Sequence, residues 1–122
     1  MKPVNINVHK KSATLELGYD NGETHTLSAE YLRVFSPSAE VQGHSPEQAV
    51  LQTGKRHVSF KDLETQGHYA IKIVFSDGHD SGIYSWDYLY DLATSYETRW
   101  QGYLEALKTA GKSREPQFIA VN

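Results

Sequence analysis

The chain has 122 residues, 12 Lys and Arg against 15 Asp and Glu, a formal net charge of −3, and no cysteine. That length fits one domain with its own core; the missing thiols exclude disulfides and thiolate metal sites and suit a reducing compartment. With no run of like charges and no stretch of some 18 apolar residues, nucleic acid and membrane are not expected as partners, and a soluble, cytoplasmic protein is.

The opening Met1-Lys2-Pro3-Val4-Asn5 carries no apolar signal stretch. Val4 to His9 and Ala13 to Tyr19 alternate apolar and polar residues as half-buried strands do, with Val4, Ile6 and Val8 on one face and Ala13, Leu15 and Leu17 on the other run's face. Asp20-Asn21-Gly22 tolerates positive φ and turns the chain into a short strand ending near Leu27. Ser28 then caps a short helix, Ala29 to Phe35, which stops before Pro37. Residues 36–56 show no period and read as a long loop: a cover over the core, a binding loop or a mobile segment.

His57 to Leu63 and His68 to Phe75 read as strands, the second with Tyr69, Ile71, Ile73 and Phe75 on one face; Ser76-Asp77-Gly78-His79 turns into a further strand, Asp80 to Tyr84. Ser85 caps one long helix with Asp87 in its first turn. Leu89, Leu92, Ala93, Tyr96, Trp100, Tyr103, Leu104 and Leu107 form its apolar stripe, and Gly111 ends it. At 1.5 Å per residue such a helix spans roughly 36 Å, so its distal half would overhang a domain of about 14 Å radius of gyration and call for a second copy of the chain. The expected fold is α+β, with small antiparallel-rich sheets, a single domain over residues 1–111 and a tail over 112–122.

Leu15-Glu16-Leu17-Gly18-Tyr19-Asp20-Asn21-Gly22 lies over Ile71-Lys72-Ile73-Val74-Phe75-Ser76-Asp77-Gly78, Leu27 over Ile83 and, after one extra residue, Glu30-Tyr31-Leu32 over Asp87-Tyr88-Leu89. Two accounts stand: hairpins followed by helices look alike for reasons of turn chemistry, or a strand-turn-strand-helix unit is duplicated.

Six histidines at 9, 25, 44, 57, 68 and 79 offer imidazoles, but none sits at helical His-x-x-x-His spacing; Asp77-Gly78-His79-Asp80 is the one compact cluster, and turn chemistry accounts for it. No Gly-x-Ser-x-Gly and no phosphate-cradling glycine loop occurs, so no enzyme and no cofactor is expected. Tyr84, Trp86, Tyr88 and Tyr90 gather where the last strand enters the helix, either flanking the core or forming an aromatic anchor for a protein partner.

Leu32-Arg33, the run Ser36-Pro37-Ser38-Ala39-Glu40-Val41-Gln42-Gly43-His44, and Phe75-Ser76-Asp77-Gly78-His79-Asp80-Ser81-Gly82-Ile83-Tyr84-Ser85-Trp86-Asp87-Tyr88-Leu89 together resemble the gamma-butyrobetaine hydroxylase N-terminal-like family, a domain of unknown function. The resemblance spans most of residues 10–93. It implies an accessory role, since such domains occur as small bacterial proteins, joined to P-loop ATPases of iron–sulfur cluster assembly, and ahead of the catalytic domain in carnitine-biosynthesis dioxygenases. In the dioxygenases three cysteines and a histidine are similar to a zinc site; the matching places here are Ser36, Ser38, Val41 and His79. Two hydroxyls and a valine cannot replace three thiolates, so no zinc is expected, and His79 should instead hydrogen-bond to the Ser36–Glu40 loop. The favoured reading is a protein-binding or assembly-assisting module presenting Ser36, Ser38, Glu40, His44, Asp77, His79, Asp80, Tyr84 and Trp86. A metal or small ligand at His44, Asp77, His79 and Asp80 is the alternative.

Overall fold

The computed structural model of the protein describes residues 1–116. Its elements are β1 (Asn5–His9), β2 (Thr14–Gly18), β3 (Thr24–Ser28), α1 (Ala29–Val34), α2 (Ala39–Gln42), β4 (Phe60–Gln66), β5 (Ala70–Phe75), β6 (Ile83–Ser85), α3 (Trp86–Thr94) and α4 (Tyr96–Ala110). The strands form two antiparallel three-stranded sheets, β1-β2-β3 and β4-β5-β6, so the fold is α+β. The central strands carry the strongest apolar alternation because only they are flanked on both edges: Leu15 and Leu17 of β2 and Ile71, Ile73 and Phe75 of β5 are buried. Each such side chain contributes about 1.5–3 kcal/mol by leaving water.

The two halves repeat each other down to single hydrogen bonds. The Tyr19 amide donates to the Glu23 carbonyl and the Phe75 amide to the His79 carbonyl, both at 2.9 Å, across turns whose glycines, Gly22 and Gly78, have φ of 88° and 90°. Asn21 Oδ1 accepts from the Glu23 amide at 3.0 Å as Asp77 Oδ1 accepts from the His79 amide at 3.1 Å. Ser28 Oγ caps α1 through the Tyr31 amide, and Ser85 Oγ caps α3 through the Tyr88 amide. Most telling, Tyr31 donates to the Leu92 carbonyl and Tyr88 to the Phe35 carbonyl, each at 2.6 Å, and both acceptors lie four residues beyond the other tyrosine. This reciprocity is what a two-fold relation between the halves requires, and turn chemistry alone does not produce it.

The register corrects one detail of the repeat. Leu15 faces Leu27 and Ile71 faces Tyr84, so Leu27 corresponds to Tyr84 and the extra residue falls in the second turn. Burial agrees: Leu27 and Tyr84 are buried, whereas Ile83 is exposed.

The single long helix does not form. Ser95, at φ −113° and ψ 19°, divides α3 from α4. Its Oγ donates back to the Asp91 carbonyl at 2.5 Å and accepts from Arg99 Nε at 2.8 Å, and such i−4 back-bonding bends helices. The bend turns α4 back onto α1, where Tyr103 and Leu107 bury against Val34, with Phe35, Trp100 and Leu104 partly buried around them. The expected overhang of the distal half, and with it the ground for a dimer through the helix, is therefore removed.

Three further boundaries shift. The 55–58 segment turns, with the Val58 amide on the Lys55 carbonyl, so β4 starts at Phe60 and runs to Gln66 as a polar edge strand. Tyr69, expected on the buried face, lies outside the strand and is exposed. The 36–56 stretch contains α2 and a 3₁₀ turn, Pro46–Gln48. Of the expected tail, residues 117–122 lie outside the described residues. The part before them is held: the Gly54 and Arg56 amides donate to the Ser113 and Arg114 carbonyls at 3.0 and 3.1 Å. Arg114 Nε and Nη2 grip the buried Glu30 carboxylate at 2.7 and 2.6 Å. No helix among the described residues is long and apolar enough to cross a membrane.

Candidate functional site

The end of α1, the N-terminus of α2 and the β5–β6 turn meet in a closed knot of polar side chains. Ser36 Oγ lies 2.8 Å from His79 Nε2 and Ser38 Oγ lies 3.4 Å from the same nitrogen. All three residues are buried, Ser36 completely. The approach is close because position 82 is glycine: a Cβ there would stand 2.6 Å from Ser36 Oγ. Ser38 occupies the N-cap position of α2 but makes no side-chain cap; its hydroxyl turns inward to Ser36 and His79. This is the contact to the Ser36–Glu40 loop that the sequence led us to expect of His79.

On the solvent side, His79 Nδ1 is 3.6 Å from Glu40 Oε2, and Glu40 Oε1 accepts from Ser81 Oγ at 2.9 Å. Serine, imidazole and carboxylate thus follow one another in the order of a nucleophile, base and orienting acid. The serine is fully enclosed, however, and also accepts from the Ser38 amide. Burial, with the nearby Arg33 charge second, lowers the His79 pKa from 6.5 and favours the neutral ring, which a hydroxyl pair can satisfy.

Beside the knot, Asp77 Oδ2 accepts from Arg33 Nε and Lys55 Nζ, both at 2.9 Å, and Arg33 Nη1 donates to Gln52 Oε1 at 2.9 Å. Burial pushes the Asp77 carboxyl up, but Lys55, the His79 amide and Arg33 together outweigh it and hold it at about 2. Arg33 and Lys55 were not among the sequence candidates; the signal for them was a pairing of charges 44 and 22 positions apart, which no local pattern carries.

The remaining candidates do not join this cluster. His44 is exposed, and its amide donates to Gln48 Oε1; Asp80 is exposed too. Tyr84 is a core residue whose hydroxyl donates to the Leu32 carbonyl at 2.5 Å. Trp86 is half-buried and donates from Nε1 to the His68 carbonyl at 2.7 Å, fastening the β4–β5 hairpin to α3. Among the described residues no three His, Asp or Glu side chains gather as a metal site would need, so His44, Asp77, His79 and Asp80 are not brought into one ligand set.

A second feature was missed at the sequence level. An apolar groove of about 410 Å³ runs between α4 and the 49–52 segment, with Val34, Phe35, Val41, Leu51 and Tyr103 in its wall. Val50 and Leu51 stand exposed at its rim, 55% and 36% accessible. The run Ala49-Val50-Leu51 inside an otherwise polar loop was the available signal.

Duplicated strand-turn-strand-helix halves, a two-fold set of tyrosine bonds and a closed Ser-Ser-His knot define a small α+β domain without an exposed reactive centre among the described residues. The family described as gamma-butyrobetaine hydroxylase-like, N-terminal, matches residues 6–90, and the chain belongs to it. Two solution NMR structures are similar to it at 51% and 48% identity, with TM-scores of 0.83 and 0.80; each covers 99% of this chain, and the matches take in 95% and 91% of theirs. A crystal structure of a protein of unknown function of the DUF971 family, from Acidithiobacillus ferrooxidans, is 37% identical with a TM-score of 0.64, covering 75% of this chain and 92% of that one. No curated protein matches the chain.

Proposed function

We propose that this protein is a non-catalytic accessory module that binds a protein partner in the cytoplasm, in the service of iron–sulfur protein assembly. One contrast carries the reading. The side chains with chemical potential, Ser36, Ser38 and His79, are spent on each other inside the fold, while the open concave surface beside them is apolar. Surfaces of the second kind serve recognition. The resemblance to domains joined to ATPases of iron–sulfur cluster assembly supports the finer assignment.

Site-specific photo-crosslinking in cells tests both levels. A benzoyl-phenylalanine at Leu51, on the groove rim, should capture discrete protein adducts, whereas the same group at Lys61, on the exposed edge strand, should not. Identical adduct patterns from the two positions would defeat the binding reading. Discrete adducts that contain no iron–sulfur protein or assembly factor would defeat only the finer one.

A further inference from the structure

We infer that the groove along α4 takes a short apolar peptide segment of a partner protein bearing one carboxylate, seated over Gly102; this rests on the reading of the chain as a binding module. Gly102 is the first ground. It sits in the middle of a 15-residue helix, its φ is not positive, and a Cβ there would meet nothing within 4 Å. Glycine at such a position weakens a helix relative to alanine, and neither backbone conformation nor packing within the described fold calls for it. The missing side chain opens the groove floor, where the next lining residues on α4, one turn to either side, are Thr98 and Ala106. Backbone exposed at the floor of an apolar groove lets an incoming chain approach closely.

Charge complementarity is the second ground. Arg99 is the only charged residue lining the groove. Its Nε is held by Ser95 and its Nη2 by Asp91, while Nη1 has no partner among the described residues. The guanidinium is fixed over the rings of Phe35 and Tyr88, at 5.6 and 5.9 Å from their centroids, so its direction is preset. A fixed N–H donor at the edge of an apolar groove selects a carboxylate on the occupant. Apolar anchors at helical spacing with an acid at one end meet both requirements.

Random dodecapeptides displayed on phage, selected on the full chain and counter-selected on Gly102→Leu, test this directly, followed by titration of the enriched peptide into ¹⁵N-labelled protein. The expected consensus is two or three apolar residues with one Asp or Glu, and the shifted amides should centre on Leu51, Gly102 and Tyr103. Changing the peptide's acid to its amide should weaken binding several-fold, and Gly102→Leu should weaken it at least tenfold. Gly102→Ala guards against misfolding: it should raise Tm by about 3–5 °C while still weakening the peptide. A consensus without an acid, or a peptide indifferent to Gly102, would overturn the inference. Shifts centred on Trp86 and Tyr69 would overturn it yet leave the binding module standing; no enrichment on any surface would count against both. Self-association of the chain through α4, or enrichment only after residues 117–122 are deleted, would give the groove to another occupant and overturn it as well.

Discussion

Replacing Tyr31 by Phe tests the two-fold bond pair with almost no change in volume. The tyrosine is fully buried and its hydroxyl donates to the Leu92 carbonyl at 2.6 Å, so the phenylalanine ring refills the space and only the bond is lost. Burial drives the hydroxyl's pKa upward, as expected of a neutral donor shut away from water. One buried neutral hydrogen bond, with its acceptor left partly unpaired, stabilises by about 1–1.5 kcal/mol. For a domain of this size that corresponds to a Tm lower by about 4–6 °C. Tyr88→Phe removes the mirror bond to the Phe35 carbonyl, but Tyr88 is only half-buried, so water can reach the freed carbonyl and the loss should be nearer 0.5–1 kcal/mol. Urea unfolding followed by the fluorescence of Trp86 and Trp100 measures both. A loss below about 0.3 kcal/mol for Tyr31→Phe, or a larger loss for Tyr88→Phe than for Tyr31→Phe, would refute the idea that these bonds hold the halves together.

The charged and polar contacts give further tests. Asp77, held at about 2, has a folded pKa below its ordinary 3.8, so its contribution is present above about 3.8 and fades as pH falls towards 2. Asp77→Asn should cost about 1 kcal/mol at neutral pH, allowing for solvent screening, and should flatten that acid limb; superimposable acid limbs for variant and wild type would contradict it. For His79 the lowered pKa places the stabilising neutral form above pH 6.5, with stability lost as pH falls below that value. An NMR titration of its ring should show a midpoint below 6.5, and one at or above it would be inconsistent with the closed knot. Because both serine oxygens lie within 3.4 Å of His79 Nε2, the triple change Ser36→Cys, Ser38→Cys, Val41→Cys should create a zinc site that EDTA strips with a drop in Tm. Protein that retains no zinc after gel filtration would sink that expectation.

The parts of the fold that could be read from sequence are those fixed by neighbours in the chain. Alternation in β2 and β5 marked the central strands, and Ser28 and Ser85 announced their helices because capping is a relation over three residues. The duplication was visible for the same reason. The break at Ser95 was not: apolar periodicity continues straight through it, and only the back-bond to Asp91 and the grip of Arg99 reveal the bend. β4 escaped because an edge strand needs few apolar residues, and only Phe60 in it is buried. The knot was half legible, since its serines and histidine were singled out while Gly82, which lets them meet, looked like turn filler. Glu40, Asp77 and His79 gather, but Tyr84 and Trp86 serve core and hairpin instead. The groove joins the 49–52 segment to the middle of α4, and no local pattern anticipates such a surface.

The ribbon that Ser113 and Arg114 form with Gly54 and Arg56 separates two notions of length. Likeness to the family ends at residue 90, and every strand and helix is complete by Ala110. Yet the carboxylate of Glu30, in the first helix, finds its counter-ion only at Arg114. A fragment ended at Gly111 would keep all its regular structure and strand a shielded anion, at a loss on the order of 2–3 kcal/mol that comparative melts of residues 1–111 and 1–116 would read. The stretch that kinship recognises is thus shorter than the stretch that must fold as one.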